Sequence, residues 1–231
     1  MRTLKTFLMA AALVATAGLV KAEVQDRHLS GFNAVDVAGS YDVVITQGSS
    51  ESVKVDAPSD VINKIITEVN GGVLKIYTKS GTSWNWTGNK KMIVYVGIKD
   101  VNAVSLAGSG DVMFKNGLKA SSLKLKLTGS GDLTGKVDVT NLESSIGGSG
   151  DITISGRADN STVSVVGSGD FTGQNLATQN TQVKVAGSGD ARVNVGEKLD
   201  AAVVGSGDVH YTGSVKNVST SKAGSGSVSR M

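Results

Sequence analysis

Aligned on a recurring glycine, the second half of the chain separates into columns of alternating character. Two residues before Gly108, Gly129, Gly148, Gly167, Gly187, Gly205 and Gly224 stand Leu106, Leu127, Ile146, Val165, Val185, Val203 and Lys222. Four residues before stand Val104, Leu125, Ser144, Val163, Val183, Ala201 and Thr220, and the position between is Ser105, Lys126, Ser145, Ser164, Lys184, Ala202 and Ser221. A mostly apolar face alternating with a mostly polar one at period two marks a half-buried strand. Past the glycine the pattern resumes. Val112, Leu133, Ile152, Phe171, Ala191, Val209 and Val228 form a second apolar column, followed by the mixed column Met113, Thr134, Thr153, Thr172, Arg192, His210 and Ser229. Each unit therefore predicts strand, tight turn, strand.

The turn itself is Gly-Ser-Gly-Asp in six copies and Gly-Ser-Gly-Ser in the copy at Gly224, at steps of 18 to 21 residues. The return from one unit to the next is about ten residues, too short and too variable for a crossover helix. Equal-length units with stacked columns describe a solenoid in which each coil buries its neighbour's apolar face. A single-stranded, right-handed parallel β-helix is the simplest all-β solution, with coils about 4.8 Å apart and seven coils making a rod about 30 Å long. A propeller is disfavoured, since its blades need about 40 residues each. At a coil corner glycine supplies positive φ without a steric penalty. The last unit carries Lys222 in the aliphatic column, Ser227 in the aspartate column and Arg230 where Phe114, Ile154, Val193 and Tyr211 stand elsewhere. That reads as a polar cap on an open strand edge.

Before the repeats, residues 32–57 read as three short strands, and Ala38 to Asp42 ("AGSYD") is a degenerate copy of the later turn, so that the solenoid begins there. Val61, Ile62, Ile65, Ile66 and Val69 follow at helical spacing, with Ser59 or Asp60 as N-cap and Gly71 as a stop, which predicts a short helix. Strands at Val73 to Thr78 and Met92 to Val96 flank a segment that holds both tryptophans, Trp84 and Trp86.

"GSYDVVITQG", "LKIY" and the "LAGSGDV" copies together resemble the bacterial head GIN domain family of putative auto-transporter adhesins, from about Phe32 to the C-terminus. The resemblance implies a right-handed single-stranded β-helix in a cell-envelope setting and brings no catalytic residues with it. The chain shows no outer-membrane barrel segment of its own, which argues against an auto-transporter mechanism within one polypeptide.

Residues 1–22 have a basic start, an apolar run from Phe7 to Val20 and Ala22 at the end, the layout of a secretory signal cleaved after Ala22. The apolar run is short for a transmembrane anchor, and no second one follows. The expected organisation is a signal peptide over 1–22 and one domain over 23–231, irregular over 23–100 and built of repeats over 101–231. Loss of Arg2, Lys5 and Lys21 with the signal leaves 20 basic against 20 acidic residues, and no dense Lys/Arg run remains. A nucleic-acid partner therefore loses its electrostatic support. Cysteine is absent, which excludes disulfide staples and a lipidated cysteine. The expected location is the periplasm, the cell surface or the medium.

Three candidate chemistries follow. Asp111, Asp132, Asp151, Asp170, Asp190 and Asp208 form a column of carboxylates that repel one another unless amides or cations screen them. Calcium is the sharpest metal hypothesis, because the turn echoes the Gly-x-Gly-x-Asp element of calcium-binding β-rolls. Those repeats are tandem nonapeptides, whereas here the period is about twice as long with no second element halfway, which favours structural turns over a calcium cofactor. Trp84 and Trp86 would share one face of a continued strand, suited to stacking on sugar rings or on a partner surface, although burial over the first coil is the commoner fate of such residues. A carbohydrate-cleaving β-helix enzyme would need carboxylates in unlike environments, and equivalent repeat positions do not provide them. With His28 and His210 as the only histidines and no nucleophile elbow or phosphate loop, a non-enzymatic protein binding glycan or envelope protein is expected.

Overall fold

The computed structural model describes residues 22–81 and 91–231. Its strands are β1 (Ala22–Asp26), β2 (Ala34–Gly39), β3 (Asp42–Gln47), β4 (Ser52–Pro58), β5 (Ile65–Asn70), β6 (Val73–Thr78) and β7 (Ile93–Ile98), then β8 (Ala103–Gly108) and β9 (Val112–Phe114). The long strands β10 (Leu118–Gly129), β11 (Leu133–Gly148), β12 (Ile152–Gly167), β13 (Phe171–Gly187) and β14 (Ala191–Gly205) follow, and β15 (Val209–Thr212), β16 (Asn217–Gly224) and β17 (Val228–Arg230) end the described chain. All belong to one sheet wound on itself as a β-solenoid, whose coils stack in parallel and to which β1, β4 and β5 add antiparallel pairs.

From β11 to β14 each long strand is a whole coil between two Gly-Ser-Gly-Asp corners, and β9 with β10 makes the coil before them. The expected return segment is itself strand, paired in parallel with the coils on either side. The reason is geometric: stacked backbones satisfy each other's amides and carbonyls almost all the way round, so irregular return loops are unnecessary. The apolar columns form the core. Leu106, Leu127, Ile146, Val165, Val185 and Val203 are buried, as are Val112, Leu133, Ile152, Phe171, Ala191 and Val209. Burial of each such side chain contributes about 1.5–3 kcal/mol for the larger aliphatics and aromatics. Size alternates within a column: Phe114 stacks beneath Gly135, where a Cβ would strike the phenyl ring.

Ala38 to Asp42 is the corner of a genuine coil. β2 and β3 lie in register with β8 and β9, pairing Gly39 with Gly108 and Val43 with Val112. On their other side lie β6 and β7, also in parallel. The coil made by β2 and β3 is thus sandwiched between two coils that come later in the chain. Tyr41 occupies the second-glycine position of this corner, fully buried, with its hydroxyl donating to the Ala38 carbonyl at 2.9 Å. Burial pushes the Tyr41 phenol well above its usual range.

The predicted helix over residues 61–69 is not formed. A single 3₁₀ turn at Ile62–Lys64 leads into β5, which runs antiparallel to β6 from Ile65 opposite Thr78 to Asn70 opposite Val73. Ile65, Ile66, Thr67 and Val69 are β-branched and lose χ1 freedom in a helix, and β6 offers a paired alternative. Gly71 and Gly72, with φ of 59° and 78°, close the hairpin in the manner of a type I′ turn, so the glycine expected to stop a helix instead turns a strand. β4 runs antiparallel to both β7 and β1. Together β5, β4 and β1 close the N-terminal end of the stack. At the other end β16 is exposed along its whole length, in keeping with the polar cap read from Lys222.

Candidate functional site

Four hydrogen bonds explain the turn sequence, and the coil at Gly148 shows them all. Ser149 N and Gly150 N both donate to the Gly129 carbonyl of the preceding coil, at 2.9 and 3.0 Å. Gly148 has φ of 128°, and a Cβ on either Gly148 or Gly150 would be driven into the backbone of the coil it stacks on. Both glycines are therefore required, one for conformation and contact together, the other for contact alone. Ile152 N donates in the opposite direction, to the Asp170 carbonyl at 2.9 Å. The amide of Asp151 remains, and it donates to Oδ1 of Asp132 at 3.1 Å.

That last bond repeats along the stack. Asp132 donates to Asp111 at 2.9 Å, Asp170 to Asp151 at 2.8 Å, Asp190 to Asp170 at 2.8 Å and Asp208 to Asp190 at 2.9 Å. It reaches back to the degenerate corner, where Asp111 N donates to Asp42 Oδ1 at 3.3 Å. Each carboxylate thus supplies an acceptor for the next coil's backbone at the corner. The amides between successive carboxylates offset the repulsion of a like-charge column. Arg192 adds a cation beside two of them, 3.6 Å from Asp170 and 3.4 Å from Asp190.

The ladder ends at Ser227. Its amide and its hydroxyl both donate to Asp208 Oδ1, at 2.7 and 2.8 Å. These two bonds, the hydroxyl's first, hold the Asp208 carboxyl below its ordinary range. Serine at this position keeps the amide bond of the ladder and adds a hydroxyl bond to the same carboxylate.

Among the described residues no three His, Cys, Asp or Glu side chains come together so as to hold a metal ion. His210 is half-buried, with Nδ1 2.9 Å from Ser229 Oγ. Arg157 pairs with Asp138 at 3.0 Å, apart from the Arg192 cluster. Trp84 and Trp86 lie outside the described residues, as does the signal-like segment up to Lys21.

A second feature lies beyond the columns that begin four residues before each glycine. Five and seven residues before it stand Glu143, Thr162, Gln182 and Asp200, and Asn141, Asn160, Asn180 and Lys198, in register from coil to coil. Pairing skips Thr140 and Asp159 just before the asparagines, where the coil bends. Asn160 Nδ2 donates to Asn141 Oδ1 at 3.0 Å and Asn180 Nδ2 to Asn160 Oδ1 at 3.1 Å, an amide ladder on the surface. Beside it lies a cavity of about 290 Å³ lined by Asn160, Thr162, Asn180, Gln182, Lys198 and Asp200, with the buried Ser161 and Thr181. Extending the same column count would have exposed the recurring asparagine.

Comparison with known proteins agrees with this architecture. Residues 31–215 match the family model described as putative auto-transporter adhesin, head GIN domain. A crystal structure of a putative adhesin from Bacteroides fragilis is 26% identical, with a TM-score of 0.87 over 91% of this chain and 97% of that one. A putative lipid binding protein from Parabacteroides distasonis is also 26% identical, with a TM-score of 0.74 over 91% of this chain and 96% of that one. A putative adhesin from Parabacteroides merdae, at 22% identity and a TM-score of 0.73 over 93% of this chain and 98% of that one, shares the fold. No curated protein matches in sequence. The stacked Gly-Ser-Gly-Asp corners and the family match over most of its length together establish that the chain belongs to the head GIN domain family of putative auto-transporter adhesins.

Proposed function

We propose that this protein is an exported, non-enzymatic adhesion module of the cell envelope that presents a rigid flank of stacked side chains to glycan or protein surfaces. The observation that carries the reading is the outward face of β11 to β14. Ser145, Ser164, Lys184 and Ala202 stand in register beside Gly147, Val166, Ala186 and Val204, with Val166 and Val204 55% and 58% exposed. Small polar and apolar side chains at fixed coil spacing on a paired, stiff sheet form a surface that binds without rearranging. Family membership supports the same class of role. The basic and apolar layout of residues 1–22 supports export, to the periplasm, cell surface or medium. Trp84 and Trp86 are a second candidate contact for sugar or protein.

The aspartates in this reading hold amides, and neither calcium nor a catalytic step is assigned to them. The test is retention of the chain from Glu23 onward on isolated envelope fractions and on immobilised glycans, with hydrolysis products followed in parallel. Retention without product is expected. Product formation abolished by single substitutions in the aspartate column would establish the enzyme alternative.

A further inference from the structure

Resting on the adhesion reading, we propose that the cavity beside the asparagine ladder is a subsite for an uncharged, polyhydroxylated ligand, one or two residues of a neutral glycan lying along the solenoid axis. Three side-chain amides (Asn160, Asn180 and Gln182), three hydroxyls (Thr162 and the buried Ser161 and Thr181), one ammonium (Lys198) and one carboxylate (Asp200) line it. The charges balance, so the site holds no net field to select an anion or a cation. Each carboxamide has two N–H donors, and the ladder uses one on Asn160 and one on Asn180, leaving the second available to a ligand. The result is a dense alternation of donors and acceptors that vicinal hydroxyls can engage from both sides.

Other ligand classes fit less well. A polypeptide added as a strand needs a free edge, and β12, β13 and β14 are each paired on both sides here. A lipid chain or an apolar peptide needs aliphatic or aromatic side chains beneath it, and the lining, Ser161 and Thr181 included, has none. The volume, about 290 Å³, is at the small end for ligand pockets, which suits a monosaccharide unit. Coils about 4.8 Å apart repeat the asparagine beyond the cavity at Asn141, so a polymer running along the axis continues to meet amides. Affinity per unit is expected to be modest, with avidity supplied by length.

The experiment is saturation-transfer NMR and titration calorimetry of the chain from Glu23 onward against gluco-, manno- and galacto-configured neutral hexasaccharides, with a sulfated hexasaccharide and an octapeptide as comparison. Binding to at least one neutral hexasaccharide is expected, weakened tenfold or more by Asn180→Ala with Gln182→Ala. Because Asn180 belongs to the ladder, Thr162→Arg serves as a second variant that obstructs the cavity without removing a ladder bond. It is expected to weaken binding as much while leaving the melting temperature unchanged. Absence of binding to every neutral hexasaccharide overturns the subsite, as does preference for the sulfated sugar or the peptide. Neutral-sugar binding that survives both variants and is lost on Trp84→Ala with Trp86→Ala overturns the subsite but leaves the adhesion reading standing. Failure to be retained on envelope fractions or glycans of any kind removes the adhesion reading itself.

Discussion

A single aspartate in this solenoid does the work of a missing backbone carbonyl. At the corner the Asp170 carbonyl is taken by the amide of Ile152 in the preceding coil, and Asp170 Oδ1 accepts the amide of Asp190 at 2.8 Å. Asp170→Ala leaves the N–H facing a partly solvated gap, and the expected cost is about 1 kcal/mol, at the low end for an orphaned donor. Asp170→Asn keeps a carbonyl oxygen at the same place and is expected to restore most of that loss in a denaturant melt. Equal destabilisation by both substitutions would mean that the charge, and not the acceptor, matters. At Asp208 the same geometry acquires a pH dependence. Its carboxyl is held down in the folded chain by the Ser227 hydroxyl and amide, so the stabilisation is present above the ordinary carboxylate range and is lost as pH falls through the lowered folded value. Melting temperatures of the parent and Asp208→Asn should therefore differ at neutral pH, and the difference should start to shrink only below about pH 4.

Elements divide into those that local pattern specifies and those that pairing decides. The strands bearing Leu127, Ile146 and Val165 were legible because period-two alternation is a property of the strand itself. The segment Ile65 to Asn70 was not, since its apolar spacing fits a helix and a strand alike, and its partner β6 settles the matter. The Gly71–Gly72 hairpin was a local signal read for the wrong purpose. Insertion of the β2 and β3 coil between coils that follow it in the chain has no local signature at all, because it depends on contacts between residues far apart in sequence. At the C-terminal end, β16 places Thr220 and Lys222 in columns that are aliphatic in nearly every other coil. A charge in an inward column discourages another strand from adding to the edge. Thr220→Val with Lys222→Val is expected to make the protein associate end to end, seen as a concentration-dependent rise in mass by light scattering. A variant that stays at the parent's mass would show that the cap has no such role.

On the scale of the whole molecule, the repeat builds a stiff rod whose stability is shared among neighbouring coils. Its corners explain why Gly-Ser-Gly-Asp recurs: two glycines admit close stacking and the aspartate accepts the next coil's amide. The functional surface was less legible than the scaffold. Outward columns can vary freely as long as they remain compatible with stacking, so Thr162 and Gln182 follow no pattern, and only the recurring asparagine at 141, 160 and 180 marks the place. Thermal unfolding with excess calcium and again with a chelator decides whether the aspartate column is a hydrogen-bond ladder or a metal ladder. A hydrogen-bond ladder gives the same midpoint in both. A calcium-dependent rise on the order of 5–10 °C, the effect of a ligand bound to the folded state well above its Kd, would contradict it.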